Sequence, residues 1–159
     1  LGDVYKRQGM ALIEEGLRQF RVAGARLNEA YYLGLHADTM IHAEQPDDAL
    51  DALNTAFDRM ATTTRSYFFA SELHRLCARA LRVQGDLDGA RGDLQTSLEI
   101  ARGQAAAAFA LRSAVDLLDL ELDDGDPASV RATVTTLLKV FDGQSPTPDV
   151  LRARRLLSL

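Results

Sequence analysis

Residues 69–90 read Phe69-Ala70-Ser71-Glu72-Leu73-His74-Arg75-Leu76-Cys77-Ala78-Arg79-Ala80-Leu81-Arg82-Val83-Gln84-Gly85-Asp86-Leu87-Asp88-Gly89-Ala90. Phe69, Leu73, Leu76, Ala80 and Val83 step by four, three, four and three, which puts one apolar seam on a helix from about Ser66 to Gln84. Gly85 ends that helix, and Asp86 is placed to cap the next through its side-chain oxygen. Leu87, Ala90, Leu94, Leu98 and Ala101 then form a partner face that runs to Gly103. The stretch is a helix hairpin, and its turn recurs. Glu44-Gln45-Pro46-Asp47-Asp48-Ala49, Gly85-Asp86-Leu87-Asp88-Gly89-Ala90 and Gly125-Asp126-Pro127-Ala128-Ser129-Val130 are spaced 41 and 40 residues apart (44 to 85 to 125). Polar turns at a fixed interval between amphipathic helices indicate a hairpin array, because each hairpin must stack on its neighbours to bury its apolar face.

The same periodicity extends in both directions. Met10, Ile13, Leu17 and Phe20 outline a leading helix over 9–23 that Gly24 breaks, and a second helix over about Arg26 to Ala43 carries Ala30, Leu33, Ala37 and Met40 on one face. Pro46 suits the first turn of a third helix, where its missing N–H costs nothing, with Ala49, Leu50, Leu53, Ala56, Phe57 and Met60 as its buried stripe. Thr62-Thr63-Thr64 is a poor helix interior and reads as a loop between hairpins. Leu111, Ala114, Val115, Leu118 and Leu122 form the next face, and Gly125 stops it. Asp126-Pro127 then caps a helix bearing Val130, Val134, Leu137, Leu138 and Phe141. A last helix starts at Thr147-Pro148 and carries Val150, Leu151 and Leu157. No segment alternates with period two, so the chain is all-α, with about eight helices: hairpins over about 26–60, 66–102 and 105–141, and a C-terminal capping helix over 147–158.

Composition narrows the function classes. The chain has 159 residues, long enough for one compact domain that buries roughly 70% of its unfolded surface. A net charge of −5 argues against a phosphate-neutralising surface, and no direct nucleic-acid binding is expected. No stretch approaches the roughly 20 apolar residues needed to cross a bilayer. The lone Cys77 has no disulfide partner, and no apolar signal segment precedes the first helix, which suits a cytoplasmic setting. Leu1 to Gln8 resembles the translated remnant of a sequencing-library adapter and is set aside as a non-native segment over 1–8, leaving one domain over 9–159. Without a starting Met, the chain reads as a fragment of a longer protein.

Within the hairpins, Ala37 and Ala78 sit twelve positions before Ala49 and Ala90, and the small residues Ala56 and Ser97 follow seven further on. This resembles the tetratricopeptide pattern, in which small side chains let paired helices approach closely. The third copy departs from it, with Leu118, Val130 and Leu137 in those places, and the 40-residue period exceeds the standard 34. A narrower succession runs from Ser71-Glu72-Leu73-His74-Arg75-Leu76 and Gln84-Gly85-Asp86 to Leu98-Glu99-Ile100-Ala101-Arg102-Gly103-Gln104 and Leu111-Arg112-Ser113-Ala114. It is similar to the C-terminal repeat region of large bacterial signalling proteins, in which an adenylate or guanylate cyclase or transcription-regulator domain precedes a P-loop ATPase and tetratricopeptide repeats. The close, Phe141-Asp142-Gly143 and Thr147-Pro148-Asp149-Val150, also looks like that region, from which Gln144-Ser145-Pro146 departs. The resemblance implies a right-handed superhelical α-solenoid that binds proteins. It does not carry over catalysis, since no Gly-x-x-x-x-Gly-Lys-Ser/Thr loop and no cyclase metal pair occur here.

Candidate chemistry is sparse, and neither cofactor nor metal is expected. His36 and His42 are six apart on one helix and His74 lies in another hairpin, so no two share the i, i+4 geometry of a helical zinc site. Cys77 lies beside the apolar seam and reads as a partly buried thiol. Asp119, Glu121, Asp123, Asp124 and Asp126 lack the spacing of a calcium loop and read as capping and solvated carboxylates. One functional candidate stands out: Arg75, Arg79 and Arg82 at i, i+4 and i+7 share a helix face. Under the tetratricopeptide alignment that face lines a concave groove, together with Tyr31, Asp38, Glu72, Arg112 and Asp119. Arginine's planar fork suits an acidic peptide or a partner's C-terminus; the competing reading is a solvated face neutralised by Glu72 and neighbouring acids. The expected role is a non-catalytic interaction module whose partner is a protein, a peptide or an upstream part of its own chain. Substituting Arg75 and Arg79 by Glu is expected to weaken binding and leave helicity unchanged. The alternative is a ligand-sensing regulatory domain controlling an upstream ATPase, cyclase or DNA-binding module, with Tyr31-Tyr32 as a stacking surface.

Overall fold

A computed structural model describes residues 2–22, 28–61 and 67–158. Among the described residues the protein is all-helical and contains no strand. Its eight helices are α1 (Gly2–Val22), α2 (Glu29–His42), α3 (Pro46–Ala61), α4 (Ala70–Gln84), α5 (Leu87–Gly103), α6 (Ala107–Asp123), α7 (Ala128–Leu138) and α8 (Pro148–Leu157). Short 3-10 turns at Tyr67–Phe69 and Lys139–Phe141 precede α4 and follow α7. Helix α4 therefore begins at Ala70, after a tighter turn, where apolar spacing alone suggests Ser66. The breaks at Gly24 and Thr62-Thr63-Thr64 lie outside the described residues. The backbone is helical from Gly2, so the expected leading helix over 9–23 begins seven residues earlier.

Local chemistry explains the turns. At Gly85, in the left-handed region (φ 86°), the Asp86 N–H reaches back to the Leu81 carbonyl at 3.0 Å, which satisfies a carbonyl at the end of α4. Asp86 Oδ1 accepts from the Gly89 N–H at 2.9 Å and caps α5 as expected. The same closure recurs without glycine at Glu44 (φ 58°) and Ala105 (φ 53°), where Gln45 bonds back to Met40 and Ala106 to Ala101. The turn at Gly125 is built differently. A Cβ there would lie 1.7 Å from Glu121 Oε2, and that carboxylate accepts from the Asp126 N–H (3.1 Å) and Arg91 Nε (2.8 Å). The third copy is therefore not a structural duplicate of the first two.

Hairpins α2/α3, α4/α5 and α6/α7 pack internally, and α2, α4, α6 and α8 also pack on one another in order, while α1 rests on α2. The small residues of the first two hairpins, Ala37, Ala49, Ala56, Ala78, Ala90 and Ser97, are at most 1% exposed. Such side chains let helix axes approach closely. Ser97 adds polar satisfaction at no cost in size: its hydroxyl donates to the Ser71 carbonyl oxygen at 2.6 Å and lies 2.6 Å from Ser113 Oγ. Two residues assigned to apolar seams are surface residues instead. Val83 (48% exposed) sits in the last turn of α4 above an open cleft, and Leu151 (50% exposed) faces away from α6 and α7 on the outer side of α8. No described helix is long and apolar enough to cross a membrane.

Candidate functional site

The eight residues singled out in sequence, Tyr31, Asp38, Glu72, Arg75, Arg79, Arg82, Arg112 and Asp119, all lie on α2, α4 and α6. These helices are adjacent because each is the first member of its hairpin, so residues one period apart meet side by side. Arg79 is hydrogen-bonded to Asp38 (41 residues away), Arg112 Nη1 to Glu72 Oε1 at 3.0 Å (40) and Arg82 Nη1 to Asp119 Oδ2 at 2.8 Å (37).

Four further residues join this network beyond those the sequence assigns to the site: Asp116, Asp123, Asp149 and Arg152. Arg75 sits between two carboxylates, bonding Glu72 through Nε (3.0 Å) and Nη2 (2.8 Å) and Asp116 through Nη1 (2.6 Å). Arg152 on α8 bonds the other oxygen of Asp116 and reaches Asp119 at 3.1 Å, and Arg112 Nε bonds Asp149 at 3.2 Å. The signal for Asp116 is arithmetic, since 75 plus the 41-residue period is 116. Asp149 and Arg152 belong to the last helix, which carries no repeat signature.

This arrangement changes the reading of the arginine face. Arg75 is 8% exposed, and Arg79 and Arg82 are half-buried, each paired with acids of a neighbouring hairpin. The face is neutralised by Glu72 and neighbouring acids, in line with the competing reading, and its guanidinium groups link successive hairpins while Arg79 and Arg82 remain partly exposed. An Arg75→Glu substitution would place a third carboxylate beside Glu72 and Asp116, so the variant is expected to destabilise the fold, in place of the unchanged helicity expected for a free surface residue. The acidic group is likewise mostly paired. Asp119 and Asp123 engage Arg82 (2.8 and 2.5 Å) and Glu121 engages Arg91, while Asp126 accepts from the Ala128 N–H at 3.0 Å; α7 starts one residue later than expected, with Pro127 rather than Asp126 at the N-cap position.

Burial by itself would raise the Glu72 carboxyl, but the hydrogen bonds and charges of Arg75 and Arg112 outweigh it and hold the group below its ordinary value of 4.5. Asp116 is governed the same way: burial raises it, and the charges of Arg75 and Arg152 prevail, leaving it below 3.8. The opposite holds for Cys77, whose thiol is pushed up to about 12 by burial and then by the Asp93 charge. It is buried and inert as a nucleophile at neutral pH. Among the histidines, His74 Nδ1 pairs with Asp93 at 2.7 Å and its ring packs on Phe57, His42 Nδ1 bonds the Asp38 carbonyl at 2.7 Å, and buried His36 has Nε2 3.5 Å from Glu14.

Beside these engaged charges lies a cleft with an aromatic wall. Tyr31 and Phe69 rings lie 4.5 Å apart and Phe69 and Phe109 5.9 Å apart, and they wall a cleft of about 280 Å³ between α2, α4 and α6 that also exposes Asp38, Glu72 and Arg112. A larger, more open cleft of about 660 Å³ lies over the ladder itself, lined by Arg75, Arg79, Arg82 and Arg152 and by Val83 and Leu94. Tyr31 lines this cleft with Phe69; Tyr32, whose ring lies 5.3 Å from that of Tyr31, does not line it. No group of His, Cys, Asp and Glu among the described residues has the geometry to hold a metal.

No family model matches the chain, and no solved structure does. The chain is similar to a protein of Rhizobium meliloti (strain 1021) named uncharacterized protein R02095, at 32% identity over 114 residues, which cover 70% of this chain and 11% of that protein. It therefore spans about a tenth of the length of the curated relative it matches.

Proposed function

We propose that the chain is a tetratricopeptide-like repeat module, a right-handed α-solenoid with no catalytic role, that serves as an interaction scaffold in a cytoplasmic bacterial signalling protein. One observation carries this reading: side chains 40 or 41 residues apart face each other in bonded pairs along α2, α4 and α6, as expected where identical units stack by a constant translation. The much greater length of the relative suits a repeat region joined to other domains, and a cyclase, ATPase or transcription-regulator parent belongs to the same proposal.

The groove's ligand is a protein or peptide segment. The acids already bonded to the arginines weaken the case for a purely acidic ligand, which would have to displace them. The feature not engaged in ion pairs is the aromatic wall of Tyr31, Phe69 and Phe109, and a cleft of about 280 Å³ fits one large apolar side chain. Selection of a displayed 12-residue peptide library on the chain tests this. Enriched peptides should carry an aromatic or aliphatic anchor and lose at least about tenfold in affinity, roughly 1.4 kcal/mol, to Tyr31→Ser and Phe109→Ser variants of unchanged helicity. Failure to enrich any peptide, or equal binding by both variants, counts against the groove.

The same wall supports a second reading, a ligand-sensing regulatory domain. Stabilisation of about 2.7 kcal/mol by a nucleotide or metabolite at 100 times its dissociation constant would favour it.

A further inference from the structure

A third cleft, of about 240 Å³ and almost wholly apolar, lies between α1 and α2 and is lined by Ile13, Gly16, Leu17, Phe20, Tyr32 and Leu35. The repeat register gives each of these residues a counterpart one hairpin later. Adding 40 to Ile13, Gly16, Leu17 and Phe20 gives Leu53, Ala56, Phe57 and Met60 on α3, and adding 41 to Tyr32 and Leu35 gives Leu73 and Leu76 on α4. The six counterparts form the seat of α2 in the core of the first hairpin. Leu53, Ala56, Met60, Leu73 and Leu76 are 0, 0, 8, 0 and 4% exposed, and a Cβ on Gly34 of α2 would meet Leu73 at 3.1 Å and Leu76 at 3.6 Å. In the cleft the two α2 positions and Gly16 are open, while Leu17 is buried (7% exposed) and Ile13 and Phe20 are partly buried. Tyr32 and Leu35 are 39% and 42% exposed, and a Cβ on Gly16 would meet nothing within 4 Å.

By this register α1 corresponds to α3 and α5, the second helix of a hairpin, and not to a separate leading helix. We infer that the α1–α2 cleft is the seat of one more helix of the α2 type, the first helix of a preceding hairpin, supplied by the same polypeptide N-terminal to α1. The occupant is defined by what α2 presents to the equivalent seat: an amphipathic helix with small residues in the places of Ala30, Gly34 and Ala37 and larger apolar ones in the places of Leu33 and Ile41. Supply in cis follows from two observations. The cleft continues the interface that already joins α2 to α3 and α4, and the related Rhizobium meliloti protein extends far beyond the aligned 114 residues. The inference rests on the repeat reading but on no groove ligand.

The test extends the chain. A copy of residues 28–45 is placed ahead of Lys6, in place of residues 1–5, because Lys6 stands 40 residues before Pro46, where α3 begins. The extended protein should melt about 5 °C higher, with at least about tenfold slower amide exchange along α1. Gly16→Arg should cancel both gains in the extended protein and leave the melting of the original chain unchanged, since the added side chain meets open space there. Equal melting and equal α1 exchange with and without the extension overturn the inference. A dimer of the original chain, seen by light scattering and dissociated by Gly16→Arg, overturns supply in cis and assigns the cleft to a second copy. Because no groove binding is read, either result leaves the peptide reading standing.

Discussion

Glu72 and Asp116 link the stability of this fold to pH. Both carboxyls are held below their ordinary values in the folded state, 4.5 for Glu72 and 3.8 for Asp116, so at acidic pH the unfolded chain binds more protons than the folded one. Their contribution is fully present above about pH 4.5 and is lost as the pH falls through the folded values. Urea denaturation from pH 7 to pH 3 should show a flat plateau followed by a decline. Glu72→Gln should lower the plateau and flatten the decline, because an amide cannot titrate; an acid limb as steep as in the parent would mean that other carboxylates dominate. At this scale the residue types were visible in sequence and their pairing was not. Asp116 lies between Val115 and Leu117 with no local feature to distinguish it, and its role depends on Arg75 and Arg152, 41 and 36 residues away.

Among the helices and turns, the instructive comparison is between three closures of one geometry. Gly85 occupies its left-handed position without a Cβ penalty, while Glu44 and Ala105 hold the same region with one. Ala105→Gly should therefore stabilise the protein by about 0.5–1 kcal/mol, the relief of left-handed strain being partly offset by the greater freedom of glycine when unfolded. Thermal melting of the variant checks the sign, and a lower melting temperature would show that entropy outweighs strain here. Helix starts and stops were legible where a residue acts through its own backbone, as at Pro46, Gly85-Asp86 and Thr147-Pro148. They were less legible at Ala105, which has no conformational signature, and at Gly125, whose need for a missing Cβ arises from the Glu121 carboxylate one turn earlier.

For the whole molecule, the hairpins are coupled through a few cross-hairpin pairs, and Asp116 is the node that joins α4, α6 and α8. Removing one partner of a buried ion pair leaves the other charge uncompensated, so Asp116→Ala should cost about 3 kcal/mol. In an array held by nearest-neighbour interfaces it should also broaden the unfolding transition. Chemical denaturation followed by circular dichroism checks both; a loss below about 0.5 kcal/mol, the level of an exposed pair, would show the ladder to be solvent-screened. The all-α class and the small-residue stripes were determined by sequence alone, because helix periodicity and turn chemistry act over three to seven residues. The tertiary structure alone decided that the arginines are engaged by acids of neighbouring hairpins and that Phe69 and Phe109 complete an aromatic wall with Tyr31. Each of these depends on which residues stacking brings within a few ångströms across about 40 positions of chain, a distance at which no local pattern specifies a partner.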